Sequence, residues 1–309
     1  MMPLHLALAL AGAIAPAALP QQPAAPRDPA AAPAAPAPSA EPLVAVAPEH
    51  QRVAANGDII VAAPPRRVIS NQVRTLIGPE SQNQPLARYQ QPLCVAVAGL
   101  PRDVNGTIAN RVLDDAEAVG IRLAGRRCTP NTMILFVDDA HAQVSRMVKR
   151  GHRALLGVGW PVRRALLRAT GPAFAWRLTE LRTRGGEPAG PEPGPPVFRN
   201  ADVTRIDHPV RLDVVGAVLI VERRAAIGKT PQQLGDYAAL RLLAGALQPA
   251  GTGLPTMLRL FDPDAPAPAA LTAFDRGFLR GLYLGPATAR QGAQRARMTS
   301  AIVRESAAP

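Results

Sequence analysis

The sequence predicts an α+β fold in which helices pack on a mixed sheet. Three apolar runs have the composition of buried strands, at residues 93–100, 132–139 and 214–222. A helix is predicted between the first two runs, and such a strand–helix–strand start favours a sheet with a helix on one face. The chain has 309 residues, of which 47% are hydrophobic, and this is enough apolar surface for one substantial core.

Start and stop signals place the other elements in order. Pro101 begins the first helix and Gly120 ends it, and Thr230 and Pro231 begin a helix that carries Asp236. The remaining predicted elements are a short strand at 121–125, helices at 141–156 and 161–169, a strand at 173–184, a Gly- and Pro-rich loop at 185–196, and the second arm of a long hairpin at 197–206.

Composition divides the chain into four segments. Residues 1–20 have an apolar stretch followed by small residues, which predicts a secretory signal peptide; the alternative is a disordered Ala/Pro arm. Residues 21–85 predict a disordered Ala/Pro-rich tether, 86–286 the folded domain, and 287–309 a disordered basic tail. Within the tether, the β-prone residues 57–64 either pair with an edge strand or form a transient extended segment.

The basic charge does not by itself indicate a nucleic-acid partner. The net charge is +12, but only Lys149 and Lys229 are lysines, so 33 of the 35 basic residues are dispersed arginines. Aromatic residues make up only 4% of the chain, whereas single-strand binders stack bases on aromatic side chains. We therefore expect no nucleic-acid partner and at most a weak attraction to anionic surfaces. No apolar run outside the N-terminus predicts a transmembrane span.

The two cysteines predict one disulfide in an exported chain. Cys94 and Cys128 each stand shortly before an apolar strand-like run, and an oxidising compartment would allow them to pair. The alternative is a pair of buried thiols in a chain that stays in the cytoplasm. Together with the predicted signal peptide, the disulfide favours a periplasmic or secreted protein.

The last third of the chain resembles the closing half of a zincin metalloprotease domain. The helix that carries Asp236 is followed by a turn containing Met257, and then by a helix in which Leu271, Thr272, Asp275, Leu279, Leu282 and Tyr283 match the closing helix of that family. The resemblance implies a zincin-like fold. The same segments also read as ordinary core helices, with Thr272 as an N-cap, Asp275 stabilising the helix start, and Met257 as a core residue.

The zinc-binding residues of that family are missing here. In place of His-Glu-x-x-His stand Asp236, Tyr237, Ala238, Ala239 and Leu240. Leucine is not a zinc ligand, and tyrosine does not replace the carboxylate base. We therefore predict a lost metal site with no cofactor, and treat Asp236, Tyr237 and Leu240 as vestigial positions. A new zinc site would need a set such as His208, Asp213 and Asp236, and we also expect Asp236 to pair with Arg241 or Arg211.

Over residues 57–286 the chain also resembles a group of uncharacterised exported alphaproteobacterial, sphingomonad-type proteins. The likeness rests on the Ala/Pro tether, the cysteine-bearing strand segments, an Ala-Trp-x-x-Thr-Glu stretch at 175–180, and the helix that contains Asp-Tyr-Ala-Ala-Leu-Arg. It implies no established activity. The function that we predict is a non-catalytic pseudo-metalloprotease that binds a protein or peptide partner, or serves assembly, in the cell envelope. The alternatives are a hydrolase with a non-standard site around Asp236, Tyr237 and His208, and an envelope protein that uses its arginines on anionic surfaces.

Overall fold

The computed structural model describes residues 64–78, 84–189, 207–249 and 253–307, residue 198, and the backbone of two short strands at 51–53 and 59–61. The predicted signal peptide and most of the predicted tether lie outside the described residues. The described residues have an α+β fold with a mixed four-stranded sheet, so the predicted fold class is confirmed at this level.

The elements have the following bounds. The strands are β1 (Gln51–Val53), β2 (Ile59–Val61), β3 (Val95–Ala98), β4 (Thr132–Val137), β5 (Ala173–Thr183) and β6 (Val210–Glu222). The α-helices are α1 (Arg66–Ile77), α2 (Arg102–Ala118), α3 (Ala140–Lys149), α4 (Trp160–Arg168), α5 (Pro231–Leu242), α6 (Ala273–Tyr283) and α7 (Gln291–Ser306). Short 3₁₀ turns lie at Arg153–Leu155, Arg223–Ala226 and Met257–Arg259.

The main sheet has the order β3-β4-β6-β5. Strands β3, β4 and β6 are parallel, whereas β5 runs antiparallel to β6 and forms one edge. Side chains alternate between the two faces, as the pleat of a strand requires: on β6, Leu219 and Val221 face one side, while Val218 and Ile220 face the other. The β-prone patch at 57–64 contributes β2, which pairs with β1.

One face of the sheet, which we call the broad side, is covered by α1, α2, α5, α6 and α7. These helices contribute most of the larger hydrophobic core. Gly277 and Gly281 on α6 let the backbone of α7 come close: a Cβ at Gly281 would lie 2.3 Å from the Cα of Met298. The broad side is therefore a thick layer in which helices pack on helices as well as on the sheet.

The opposite face, which we call the basic side, is covered by α3, the turn Arg153–Leu155 and α4. These short elements pack Val144, Met147, Leu155 and Leu166 on the sheet residues Phe174 and Trp176, among others. The indole Nε1 of Trp176 donates to the carbonyl oxygen of Ala154 at 2.7 Å, which anchors the 3₁₀ turn to β5. This layer is one helix thick, so its outer face is exposed to solvent.

Two segments that the sequence predicts to be disordered are ordered helices. Within the predicted tether, α1 buries Ile69, Val73, Leu76 and Ile77, which follow helical spacing. Within the predicted tail, α7 packs on the glycines of α6 and buries a set of residues that is half polar: Gln291, Gln294, Met298, Thr299, Ala301 and Ile302. The tail prediction was wrong because the segment has few apolar residues. The contact between the backbone of α7 and the glycines of α6 is not visible in the sequence.

Two smaller expectations also need correction. The predicted strand at 121–125 reduces to a single bridge between Leu93 and Leu123. The predicted helix at 141–156 ends at Lys149, because the chain turns at Gly151, whose φ is 60°. The strand that pairs with β5 is β6, and the predicted hairpin arm at 197–206 lies, except for residue 198, outside the described residues.

The predicted disulfide between Cys94 and Cys128 is present, and it ties the start of β3 to the loop before β4. The two Cα atoms are 6.1 Å apart, within the range that such bonds need. No helix in the described part of the chain has the length and apolarity needed to cross a membrane.

Candidate functional site

Asp236 lies in the middle of α5 and is fully buried. The Nε–H of Arg111 on α2 donates to one carboxylate oxygen, and the backbone N–H of Leu271 donates to the other at 2.8 Å. Gly235 makes room for this contact, because a Cβ there would lie 2.7 Å from the side chain of Arg111. Asp236 therefore joins α5, α2 and the segment before α6, and it faces no open space.

The other two positions that align with the zinc-binding motif are also part of the core. The Tyr237 hydroxyl donates to Oε1 of Gln248 at 3.1 Å, and its ring meets Phe261 edge-on at 4.9 Å. Burial raises the pKa of Tyr237. Leu240 is only 1% exposed. The guanidinium of Arg177, on the edge strand β5, lies over Gly245, which follows α5.

The partners expected for Asp236 bind elsewhere. Arg211 donates to Asp213, with an Nε–Oδ1 distance of 2.9 Å, and the guanidinium of Arg241 lies 5.9 Å from the ring centre of Tyr237. Sequence reasoning missed Arg111 because it is 125 positions away from Asp236. Only the packing of α2 on α5 brings the two residues together.

The residues proposed for a new zinc site are not gathered into one cluster. The backbone N–H of His208 bonds to Thr288, Asp213 is paired with Arg211, and Asp236 with Arg111. Among the described residues, no group of three His, Cys, Asp or Glu side chains is placed to hold a metal ion. The residues that the structure describes therefore do not fit the zinc that the resemblance to zincins would imply.

Asp275 connects the start of α6 to the turn that contains Met257. Its carboxylate accepts hydrogen bonds from the backbone N–H groups of Met257 at 2.8 Å and Thr272 at 3.0 Å, and from the hydroxyl of Thr256. Thr272 is the N-cap of α6, as the sequence predicts, and forms a capping box with Asp275. Met257 is fully buried. All of these contacts are structural.

A cleft of about 240 Å³ between α2 and α6 is lined by Asp115, a carboxyl group beside the α2–α5 contact. Asp115, which is 6% exposed, pairs with Arg111 at 3.3 Å, while its Oδ2 has no hydrogen-bond partner. Burial raises the pKa of Asp115 to about 7; Arg111 opposes this shift and Asp236 adds to it. The i, i+4 spacing of Arg111 and Asp115 is visible in the sequence, but their link to Asp236 is not.

The edge strand β5 is the second candidate site. The backbone N–H of Glu222 donates to the carbonyl of Pro172 at 2.8 Å, so this pair is hydrogen-bonded. Bonded and non-bonded pairs alternate along an antiparallel ladder, so the backbone N–H and C=O groups of Ala173 and Ala175 point away from β6. Within the described ranges, no other backbone group bonds to these outward groups.

An open groove of about 840 Å³ lies beside the first residues of β5. His141, Thr170, Phe174 and Glu222 are among the residues that line it. The His141 imidazole Nε2 lies 3.2 Å from the carbonyl oxygen of Leu167. The beginning of the edge strand is therefore next to a space large enough for a peptide side chain.

Comparisons with protein-family models, with curated proteins and with solved structures found no match to this chain. The zincin-like fold and the likeness to exported sphingomonad-type proteins therefore stay predictions from the sequence.

Proposed function

We propose that this protein is an exported, non-catalytic binding or assembly module of the cell envelope that takes up an extended peptide along the edge of β5. One contrast carries the proposal. The polar residues of α5 that correspond to a catalytic motif are engaged in structural contacts, whereas the edge strand turns the backbone groups of Ala173 and Ala175 outward. Strand addition at such an edge supplies affinity through main-chain hydrogen bonds.

The disulfide supports the exported part of the proposal. Disulfides persist in oxidising compartments outside the cytoplasm, and they are rare in proteins kept reduced. The bond between Cys94 and Cys128 joins segments 34 positions apart. It is also in keeping with the apolar N-terminal segment that predicts a signal peptide.

The shape of the edge supports the peptide-binding part. Ala173 and Ala175 have small side chains that pack toward the broad side, so an added strand meets little bulk there. Phe174 points to the other face and lines the open groove. A peptide paired with β5 would place alternate side chains on the two faces, and every second one would lie on the groove side.

The test uses the full chain and a library of fluorescent, unstructured decapeptides. The variant Ala175→Pro loses the N–H that points away from β6. The hydrogen bonds between β5 and β6 keep their donors, and an edge strand tolerates proline where the missing N–H faces solvent. We expect binding to weaken at least tenfold. Ala175→Ser keeps the N–H and is the matched control, which should bind as the wild type does. A library without any saturable binder would overturn the proposal, as would equal binding by both variants.

A hydrolase with a non-standard site is the second candidate, and Asp115 is the observation that favours it. A carboxyl group that lines a cleft and has its pKa raised to about 7 is a candidate for acid–base chemistry. Fluorogenic peptides incubated with the protein between pH 5 and 8 test this candidate. Cleavage that disappears in Asp115→Asn would support it, and cleavage abolished by a chelator would point to a metal site instead. No cleavage under any condition would exclude these substrates.

A further inference from the structure

Residues 140–172, which form most of the basic side, carry basic residues and no acidic ones. They include six arginines and one lysine, and no Asp or Glu occurs in the segment. Most of these side chains project into solvent: Arg146, Lys149, Arg150, Arg153, Arg164 and Arg168 are exposed. Apart from Arg146, which donates to Gln143, these side chains make no ion pair or hydrogen bond within the described part of the chain.

Large apolar side chains stand exposed in the middle of these charges. Trp160 is 66% exposed, Leu156 is 59% exposed and Val162 is 45% exposed. The layer is too thin to bury both of its faces. Leu155 and Leu166 take the positions that face the sheet, and the neighbouring residues are left pointing outward. An exposed tryptophan and an exposed leucine among basic side chains are the kind of rimmed apolar surface that marks a contact site.

The arrangement on α4 is that of an amphipathic surface helix. Trp160, Arg164 and Arg168 recur at i, i+4 and i+8, so they form one row along the outer face. Arg163 lies outside this row: its guanidinium donates to the carbonyl oxygens of Leu155 and Val158, both at 2.8 Å. That contact holds the 3₁₀ turn against α4 and fixes Leu156 near the start of the helix.

We propose that the surface formed by Arg150, Arg153, Leu156, Trp160, Arg164 and Arg168 docks on a lipid bilayer that carries anionic headgroups. Trp160 and Leu156 enter the interface, and the guanidinium groups contact lipid phosphates. An aromatic ring flanked by arginines is suited to the boundary between headgroups and acyl chains. Each arginine near an anionic surface adds to the attraction, and its long apolar stem packs along the interface.

The lipid surface fits these residues better than a nucleic acid does. Trp160 is the only Phe, Trp or Tyr in residues 140–172, whereas nucleic-acid grooves that bind single strands offer several stacking platforms. The apolar neighbour Leu156 contributes nothing to phosphate contacts, but it gains by entering the acyl region. The proposal is independent of peptide binding at β5, because it uses a different surface.

Vesicle binding by the full chain tests the proposal. The probes are vesicles of phosphatidylcholine alone and vesicles that contain about 30% of the anionic lipid phosphatidylglycerol. We expect the protein to sediment with the anionic vesicles only, and less so at high salt. Two tryptophans are present, and Trp176 is buried. A blue shift in emission that is lost in Trp160→Phe therefore reports insertion of Trp160.

A pair of double variants separates the surface from overall charge. Arg164→Gln with Arg168→Gln removes two charges from the basic side, and we expect affinity for the anionic vesicles to fall about tenfold or more. Arg67→Gln with Arg74→Gln removes two exposed charges from α1 on the broad side and should bind as the wild type does. Because every variant keeps the same N-terminus, insertion of that segment cannot produce a difference. Equal losses in both double variants would overturn the proposal, as would a Trp160 shift that RNA produces and the anionic vesicles do not.

Discussion

The two sides of the sheet use charge in opposite ways. On the broad side two carboxylates that join helices are buried and bonded: Asp236 accepts from Arg111 and Leu271, and Asp275 accepts from four donors on Thr256, Met257 and Thr272. On the basic side the charged groups are exposed, of one sign, and without acidic partners in the described ranges. Charges of the first kind fix the positions of helices, whereas those of the second kind are available for a partner.

The helices α4 and α5 show the same difference locally. Each has a proline in its first turn, which suits a helix start. Helix α5 begins with a capping box of Thr230 and Gln233, and nine of its twelve residues, Leu234 to Leu242, are buried. Only Leu166 is buried in α4. Strong start signals in the sequence therefore do not predict how many residues of a helix are buried.

The largest loss of stability is expected for Asp236→Ala. The change leaves the N–H of Leu271 buried without a partner and removes the counter-charge of Arg111, so the free energy of unfolding should fall by about 3–5 kcal/mol. Urea denaturation measures this. Asp264→Ala, at an exposed position, is the control and should change stability by no more than about 0.5 kcal/mol. If the two variants were equally stable, the buried cluster would not be what holds the broad side together.

Replacing both cysteines with alanine tests how much the disulfide contributes to stability. The bond closes a loop of 34 positions, and the chain-entropy model assigns it about 3.8 kcal/mol. Denaturation midpoints of the wild type with and without reductant, and of Cys94→Ala with Cys128→Ala, should show this loss. The double variant should not respond to reductant. A midpoint that is the same in all four samples would mean that packing alone stabilises the β3 edge.

The pH dependence tests the cleft between α2 and α6. In the folded protein the pKa of Asp115 is raised to about 7, so the folded state holds its proton more tightly than the unfolded chain does. Its contribution to stability is full below about pH 4 and disappears as the pH rises through 7. The size should be on the order of 1–3 kcal/mol.

Asp115→Asn should remove this part of the pH profile. The charged groups that face Asp115 are Arg111 and Asp114 from α2, Asp236 from α5, and Arg276 and Arg280 from α6. All of them stay in the variant. Burial also raises the pKa of Asp275, which gives a slope of the same sign in both proteins. Thermal denaturation between pH 4 and 8 measures the difference, and parallel profiles would contradict the prediction.

The smallest effect is expected at Trp160. Trp160→Ala removes an exposed side chain from the basic side and should change the free energy of unfolding by no more than about 0.5 kcal/mol. The matched change Trp176→Ala removes a buried ring and its hydrogen bond to Ala154, and it should cost about 3–5 kcal/mol. A large loss at Trp160 would mean that this ring has a structural role, and it would weaken the contrast between the two sides.

Local patterns in the sequence predicted much of the fold. The apolar runs became β3, β4 and β6, Pro101 and Gly120 flank α2, and Thr272 caps α6. Each of these features depends on residues a few positions apart, whose spacing is visible in the chain. The pairing of Cys94 with Cys128 was also within reach, since the chain contains no other cysteine.

Long-range packing decided what local patterns did not reveal. Helix α7 is polar in sequence and becomes part of the fold because Gly277 and Gly281 let its backbone approach α6. Arg111 bonds to Asp236 only because α2 packs on α5. Trp160 is exposed because it lies on the outer face of a layer that is one helix thick, whereas Trp176 lies beneath that layer and is buried. The sequence by itself determined the elements that have clear apolar spacing and caps. The tertiary structure alone decided which charges are bonded and which stay exposed, because that depends on neighbours distant in the chain.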